Sequence, residues 1–412
     1  MKIKNLIYTA IAALLVFTSC IQELRKDDFI SEAISGLIKV QLELPEGFEN
    51  VSVNGMKVLF TDNSTGLTYT ENVNADGYAE VRVAFGTYTI SAETKINNDN
   101  MIDIFNGMSA GLRVTPDNNT ASATINLKHS RSSQIIIKEF YFGGCKNVST
   151  GKSYQNDKYV VLYNNSDEVA YLDSLCIGTA YPWNAPTNGK FADFSDQETG
   201  VLMDGVPNAN IGWMFDGTGK DIPLQPGQEV VIALNAIDHT TITPNSVNLG
   251  VTGYYALWNS TMGLKGQSTP NAGVIHLNGF WKTGTSTAYV ISVSSPALFI
   301  YRMGGRTIEK FIEDTYTINP KTPNQATGHC LLVEKENVID GVECLKSNSD
   351  TKRLIPEVDN GFITMTNYQG HSVHRKVDEE ATAAAGGRIV YQDTNNSSND
   401  FYVREYASLT GK

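Results

Sequence analysis

The chain has 412 residues, with 44 acidic against 32 basic side chains and a formal net charge of −12 at pH 7. Charged residues make up 18% of it and 35 residues are glycine, a composition that suits a β-rich exported protein with many turns and a length that allows two domains of unequal size. An acidic surface without a basic run repels phosphate backbones, which excludes nucleic-acid binding from the expected roles.

The N-terminus has the parts of a secretory leader. Lys2 and Lys4 supply a short positive end, Leu6 to Phe17 is a nearly unbroken apolar run, and the small residues Thr18 and Ser19 lead to Cys20. That run is too short for a permanent membrane span and is expected to be cleaved. The stretch Phe17-Thr18-Ser19-Cys20 resembles a bacterial lipobox, which implies cleavage before Cys20, thioether lipidation of its thiol and acylation of the new N-terminus. Several acyl chains on one cysteine anchor a protein stably, where a single chain holds it reversibly. An ordinary leader with a free Cys20 is the competing reading.

Residues 20–35 read as a lipidated polar tether after a leader over 1–19. Within it, Lys26-Asp27-Asp28 resembles the lysine-plus-acid signal that carries Bacteroidota lipoproteins to the outer face of the outer membrane, although it lies further from the cysteine than is usual. The resemblance points to the cell surface ahead of a periplasm-facing position. Loss of Lys2 and Lys4 with the leader leaves 30 basic and 44 acidic residues, a net charge of −14. No later segment approaches membrane-spanning length, so outer-membrane lipid would be reached through Cys20.

From 36 to 130 the sequence alternates with period two. Ile38, Val40, Leu42 and Leu44 share one face, and Met56, Val58 and Phe60 repeat the pattern. Ala79, Val81 and Val83, then Tyr88, Ile90 and Ala92, then Ala123, Ile125 and Leu127 continue it. Such runs, separated by Pro45-Glu46-Gly47, Asp62-Asn63-Ser64-Thr65-Gly66 and Asn74-Ala75-Asp76-Gly77, predict the short strands of a small sandwich. Asp76-Gly77, the alternating run and Gly86-Thr87-Tyr88 together resemble carboxypeptidase-regulatory-like and prealbumin-like modules, which implies a spacer or docking unit with Tyr88 plugging the core.

The second domain spans 131–412. It opens with the β-branched run Gln134 to Tyr141, and Asp157 to Ser166 follows after a loop. Glu139, Tyr163, Asn164, Ser166 and Leu172, with Leu224-Gln225-Pro226-Gly227-Gln228 leading into Val230 to Ala233, resemble a lamin-tail domain, an immunoglobulin-like sandwich. Val161 stands where that family carries an acid before its Tyr-Asn. About forty-five residues separate Ile177 from Leu224 and more than 170 follow Ala233, so long insertions are expected. Together with the leader, the two modules and the stretches Gly370 to Lys376 and Asp393 to Phe401, these features resemble an uncharacterised family of Bacteroidota lipoproteins, a domain of unknown function. The resemblance implies a place beside TonB-dependent outer-membrane transporters.

Four cysteines remain after Cys20: Cys145, Cys176, Cys330 and Cys344. They read as structural bridges or buried thiols. Three pairings are open, and Cys145–Cys176 with Cys330–Cys344 is preferred because it closes the shortest loops. His371 and His374 are three apart and would point to opposite faces of a strand, which defeats joint metal ligation; Asp238-His239 reads as a turn pair. Asn97-Asn98-Asp99-Asn100 with Asp103 offers oxygen donors to a calcium ion but lacks the spacing and closing Glu of a dedicated loop. No nucleophile elbow, zinc helix or phosphate loop is present, so no metal, cofactor or catalytic residue is assigned.

Trp183, Trp213, Trp258 and Trp281 all fall in the central part of the second domain among turn-rich stretches with Asn and Asp. They are the candidate ligand-binding aromatics for an unknown small molecule, glycan or protein, with core packing the competing reading for each. Asp173-Ser174-Leu175 resembles a short bacterial O-glycosylation signal, at a position expected inside a strand. The sequence thus predicts an all-β, two-sandwich, non-enzymatic surface lipoprotein acting as a ligand-capture or accessory subunit of a TonB-dependent transporter. A structural or adhesive envelope protein is the alternative, and a hydrolase built from scattered residues trails both.

Overall fold

Period-two alternation buries one face of each strand in the first unit. The computed structural model describes residues 35–98, 101–185, 204–283, 286–319, 324, 328–347 and 350–411; the leader, Cys20 and Lys26-Asp27-Asp28 lie outside them. The chain divides into two units, one running up to Asn98 and over Ile102–Arg131, the other over Ser132–Lys412 with Asp99–Met101. In the first, β1 (Ser35–Glu43), β2 (Lys57–Asp62), β3 (Thr68–Asn72), β4 (Tyr78–Ala84), β5 (Gly86–Asn98), β6 (Met101–Val114), β7 (Thr120–Asn126) and β8 (Lys128–Ser133) form two sheets, ordered β3-β2-β5-β6-β8 and β4-β1-β7. Strand β1 runs antiparallel to β4 and parallel to β7. Ile38, Val40, Val58, Phe60, Val83, Tyr88 and Ile90 meet in one core. The Tyr88 hydroxyl is satisfied there by donating to the Ala84 carbonyl at 2.9 Å, and Gly77 takes φ +84° at the turn into β4, where a side chain would be strained.

Of the residues offering oxygen donors to a calcium ion, Asn97 and Asn98 end β5 and Asp103 lies on β6, while Asp99 and Asn100 lie outside the described residues. Asp103, on β6, is buried and pairs with His129 Nε2 at 2.7 Å. The His129 ring packs against Phe48 and Phe105, with centroids 4.1 and 5.0 Å away. The side chains of residues 97–101 lie outside the described set.

The second unit continues with β9 (Ile135–Tyr141), β10 (Cys145–Lys146), β11 (Ser153–Tyr154), β12 (Tyr159–Asn164), β13 (Ala170–Tyr171), β14 (Cys176–Ala180) and β15 (Gly205–Met214). Next come β16 (Pro223–Leu224), β17 (Glu229–Ala233), β18 (Tyr255–Ala256), β19 (Ile275–His276), β20 (Asn278–Lys282) and β21 (Ala297–Tyr301). The chain ends with β22 (Tyr316–Ile318), β23 (His329–Glu334), β24 (Val338–Leu345), β25 (Ile363–Thr364), β26 (Ser372–Arg375) and β27 (Phe401–Arg404). Seven strands form one sheet, β19-β18-β17-β12-β9-β26-β27; eight form another, β22-β23-β15-β14-β21-β24-β25 with β20 on the side of β15. Ile137, Val160 and Leu162 from the first sheet and Ile177, Trp213 and Leu298 from the second fill the space between them. Both outer faces carry further apolar clusters, so β12, β14 and β15 are buried along their whole length. The fold is all-β, as the sequence predicts, and the expected insertions are largely strands of the eight-stranded sheet together with the helix Ile308–Thr315, which Thr307 caps through Lys310 N.

The preferred disulfides do not form: all four cysteines are free and buried. Cys330 and Cys344 lie on β23 and β24 with three strands between them, a separation of about 19 Å at the usual strand spacing, against the roughly 7 Å between Cα atoms that a bridge allows. Cys145 belongs to the β10–β11 ribbon and donates to Asp157 at 3.5 Å, whereas Cys176, on β14, donates to the Ser174 carbonyl at 3.6 Å. Burial pushes all four thiols upward.

One ion group ties the two sheets. At β9 the pairing with β12 shifts, so that Val161 faces Glu139 and Leu162 faces Ile137. Side chains then take up the Ile137 backbone: its N–H donates to Asp340 Oδ2 at 2.6 Å and its carbonyl accepts from Arg375 Nε at 3.0 Å. Arg375 Nη2 reaches both Asp340 oxygens at 2.6 and 2.7 Å, and Nη1 reaches the Gln392 carbonyl at 2.7 Å, Asp393 at 3.2 Å and Asp400 at 3.5 Å. The four side chains are between 1% and 3% exposed. A buried pair of this kind need not outperform an apolar one, but removing one partner strands the others at a cost of about 3–5 kcal/mol. Arg375→Met is expected to lower unfolding stability in urea by about that amount, and Asp340→Leu added to it to recover part of the loss; a change under about 1 kcal/mol for the single variant would contradict the tie.

Candidate functional site

Strand alternation distributes the four tryptophans. On β15, Trp213 is fully buried in the core between the sheets, its ring edge-on to Tyr289 with centroids 5.8 Å apart. Trp281 lies on β20, opposite Gly212, while Trp213 is opposite Gly279. This register puts Trp281 on the other face of the sheet, 9% exposed, in the outer cluster with Phe299 and Phe311. Trp183 is half-buried, and its carbonyl accepts from Arg353 Nη1 at 3.3 Å. Trp258 is half-buried against the outer face of the seven-stranded sheet. The aromatics expected to cluster therefore do not: neighbours in sequence alternate between faces and sheets, and Trp213 is a core residue that cannot stack on an external ligand.

Trp258 forms part of a rim at the β18–β19 edge. These strands run parallel, pairing Ala256 with His276, which brings the exposed imidazole edge-on to the Trp258 ring at 4.8 Å between centroids. Asn259, next in sequence, accepts from Thr261 N at 2.9 Å and fixes the turn that follows. Ile275 is exposed beside His276. A partly open indole with an imidazole at its edge can stack on a flat or cyclic ligand and hydrogen-bond its substituents.

Of the other histidines, His129, His239, His329 and His374 are held by structural bonds. His239, in the short helical turn capped by Asp238, pairs with the Tyr154 hydroxyl at 2.6 Å and with the Asn235 carbonyl at 2.8 Å, and burial pushes it below its ordinary value. His374 pairs with the Arg375 carbonyl at 2.7 Å, and its ring packs against Tyr391 and Tyr402. His329 pairs with the Tyr316 hydroxyl at 2.6 Å, and His371 is half-buried one residue before β26. Among the described residues no group of three His, Cys, Asp or Glu side chains is placed to hold a metal ion, and no helix is long and apolar enough to cross a membrane.

Buried carboxylates serve the backbone in the same way. Glu343 binds Arg353 and accepts from the Arg353 and Leu354 amides at 2.7 and 2.9 Å. Asp359 accepts from Glu343 N at 2.8 Å and Ser397 Oγ at 2.6 Å. Glu139 accepts from Ser372 Oγ at 2.6 Å and Ser408 N at 2.9 Å, and Asp157 accepts from Tyr141, Cys145 and Ser246. The Asp173-Ser174 motif lies in the turn between β13 and β14 rather than inside a strand. There Asp173 accepts from the amides of Gly219, Asp221 and Ile222, at 3.1, 2.8 and 2.8 Å, and Ser174 is exposed at φ +56°. Burial alone would raise this carboxyl, but the three amides outweigh it and hold it below its usual range. Gly217 is required beside it, since a Cβ would fall 2.3 Å from Asp173 Oδ1.

Residues 225–408 match the family model described as "Protein of unknown function (DUF4876)", a little under half of the chain. A crystal structure of a DUF4876 family protein from Bacteroides thetaiotaomicron VPI-5482 is similar over 89% of this chain and 94% of that one, with a TM-score of 0.58 and 22% identity. A putative adhesin from Bacteroides ovatus ATCC 8483 aligns over 68% of this chain and 82% of that one with a TM-score of 0.23 and 7% identity. No curated protein matches the chain. The resemblance to an uncharacterised Bacteroidota family thus holds, with the fold in common.

Acrylamide quenching of tryptophan fluorescence tests the distribution. Trp258→Phe is expected to remove a large part of the quenchable emission and Trp213→Phe to leave it nearly unchanged; equal loss in both variants would contradict the burial assigned to Trp213.

Proposed function

We propose that the protein is a non-enzymatic lipoprotein of the outer membrane, displayed at the cell surface by acyl chains on Cys20. There it captures a ligand for a TonB-dependent transporter or covers the transporter's mouth. The observation that carries this reading is the N-terminal run from Lys2 to Cys20, in which an apolar stretch of cleavable length ends on small residues and a cysteine. Lys26-Asp27-Asp28 supports the outward-facing position. The way the carboxylates and histidines are bound into the fold supports binding over hydrolysis, since catalytic acids and bases need an open geometry to a substrate. The Trp258–His276 rim is the part of the described surface best suited to a small ligand or glycan.

Affinity capture of the native, lipid-bearing protein from membranes solubilised in mild detergent tests the reading. Recovery of a TonB-dependent receptor, lost in a Cys20→Ala variant that no longer partitions with membranes, is the expected result. A receptor-free eluate from membranes in which the anchored protein is intact would overturn the transporter partnership, and specific capture of an extracellular matrix protein instead would favour adhesion.

A further inference from the structure

We propose that the second unit holds an ordered water molecule at a built internal site on the core face of the β14–β15 pair, bound between Thr179, Trp213 and Tyr289. Each of these residues is 4% exposed or less, and the Thr179 Oγ1, Trp213 Nε1 and Tyr289 hydroxyl groups have no protein hydrogen-bond partner. They are gathered by the fold. Thr179 and Trp213 point to the same side of adjacent strands, at the pairs Thr179–Ala209 and Ile177–Trp213. The Tyr289 ring meets Trp213 edge-on at 5.8 Å, and the Thr179 hydroxyl neighbours the Tyr289 phenol, which burial pushes upward.

Trp213 and Tyr289 are both held in place. Trp213 is locked between β14 and β20. The segment carrying Tyr289 is fastened on both sides, by its own amide to Gln267 Oε1 at 3.1 Å and by Lys158 Nζ to the Ile291 carbonyl. A buried polar group without a partner is costly, and three such groups on one core face, two of them on neighbouring rings, are the setting in which interiors keep a bound water, which needs two to four polar partners. The chemistry selects the occupant. An indole N–H can only donate, so the occupant must accept from Trp213, while both hydroxyls can donate or accept. Water meets all three at once, and the surrounding Ile177 and Ile211 side chains, fully buried, give nothing for a larger polar ligand to bind.

The sign of a single substitution decides the matter. With water in place, Thr179→Val removes an anchor at nearly constant volume, and the unfolding equilibrium of the full chain in urea is expected to shift toward the unfolded state by about five- to thirtyfold. Tyr289→Phe is expected to act in the same direction. Were the three groups merely tolerated without an occupant, both substitutions would relieve a penalty, and a neutral or stabilised variant would overturn the proposal. A crystal structure of the full chain is expected to show one isolated density peak about 2.7–3.2 Å from the three atoms; no peak, or connected density of an organic molecule, would also overturn it.

Discussion

A guanidinium at 1% exposure between two sheets can stay there only if carboxylates come with it. Asp340 reaches Arg375 from the eight-stranded sheet, and Asp393 and Asp400 reach it from the C-terminal stretch. The same group closes the backbone of β9 where its ladder shifts, since Ile137 donates to Asp340 and accepts from Arg375. The ring of Phe401, on the edge strand β27, lies 4.6 Å from the guanidinium. Spacing between the sheets, the register shift in β9 and the route of the last forty residues are therefore one problem with one solution. The balance is uneven, one cation among three carboxylates, and burial pushes the Asp340 carboxyl upward against the pull of Arg375.

Glu343 with Arg353, Asp359 with Ser397, and Glu139 with Ser372 and Ser408 repeat the scheme at smaller scale. In each, a loop or terminal segment is pinned to a sheet by a buried acid that backbone amides or hydroxyls satisfy. A sandwich with long excursions needs such pins, because loop residues bring little apolar area of their own to offset their ordering. Among the described residues these buried acids hold the scaffold, and the Trp258 rim offers an aromatic face and an imidazole at the surface.

The first unit is legible in the sequence because each strand has one wet face. Ile38, Val40 and Leu42 alternate with polar residues and are buried as the pattern requires. Strand β6 is harder to read, since glycines and half-exposed positions blur its period. In the second unit alternation fails for a physical reason: apolar clusters cover both faces of each sheet, so β12 and β15 have no exposed side. The β-branched run of β12 marks it as a strand, whereas β15, with Pro207, Asn208 and Asn210, carries no such run, and nothing in the pattern shows that Trp213 and Trp281, on neighbouring strands, take opposite faces. In the stretch around His371 and His374, Arg375 rather than either histidine is the residue that organises its surroundings. The available signal was elsewhere: Asp340 and Glu343 stand inside the apolar run Val338–Leu345, where a charge is tolerated only with a partner.

Hydrogen exchange at the Ile137 amide reports most directly on this arrangement. If the Arg375–Asp340 group holds the sheets together, that amide exchanges only when the whole second unit unfolds, with the same free energy and denaturant dependence as the slowest core amides of β12. Exchange at the rate of a fraying sheet edge, insensitive to denaturant, would show that the sheets are held without it.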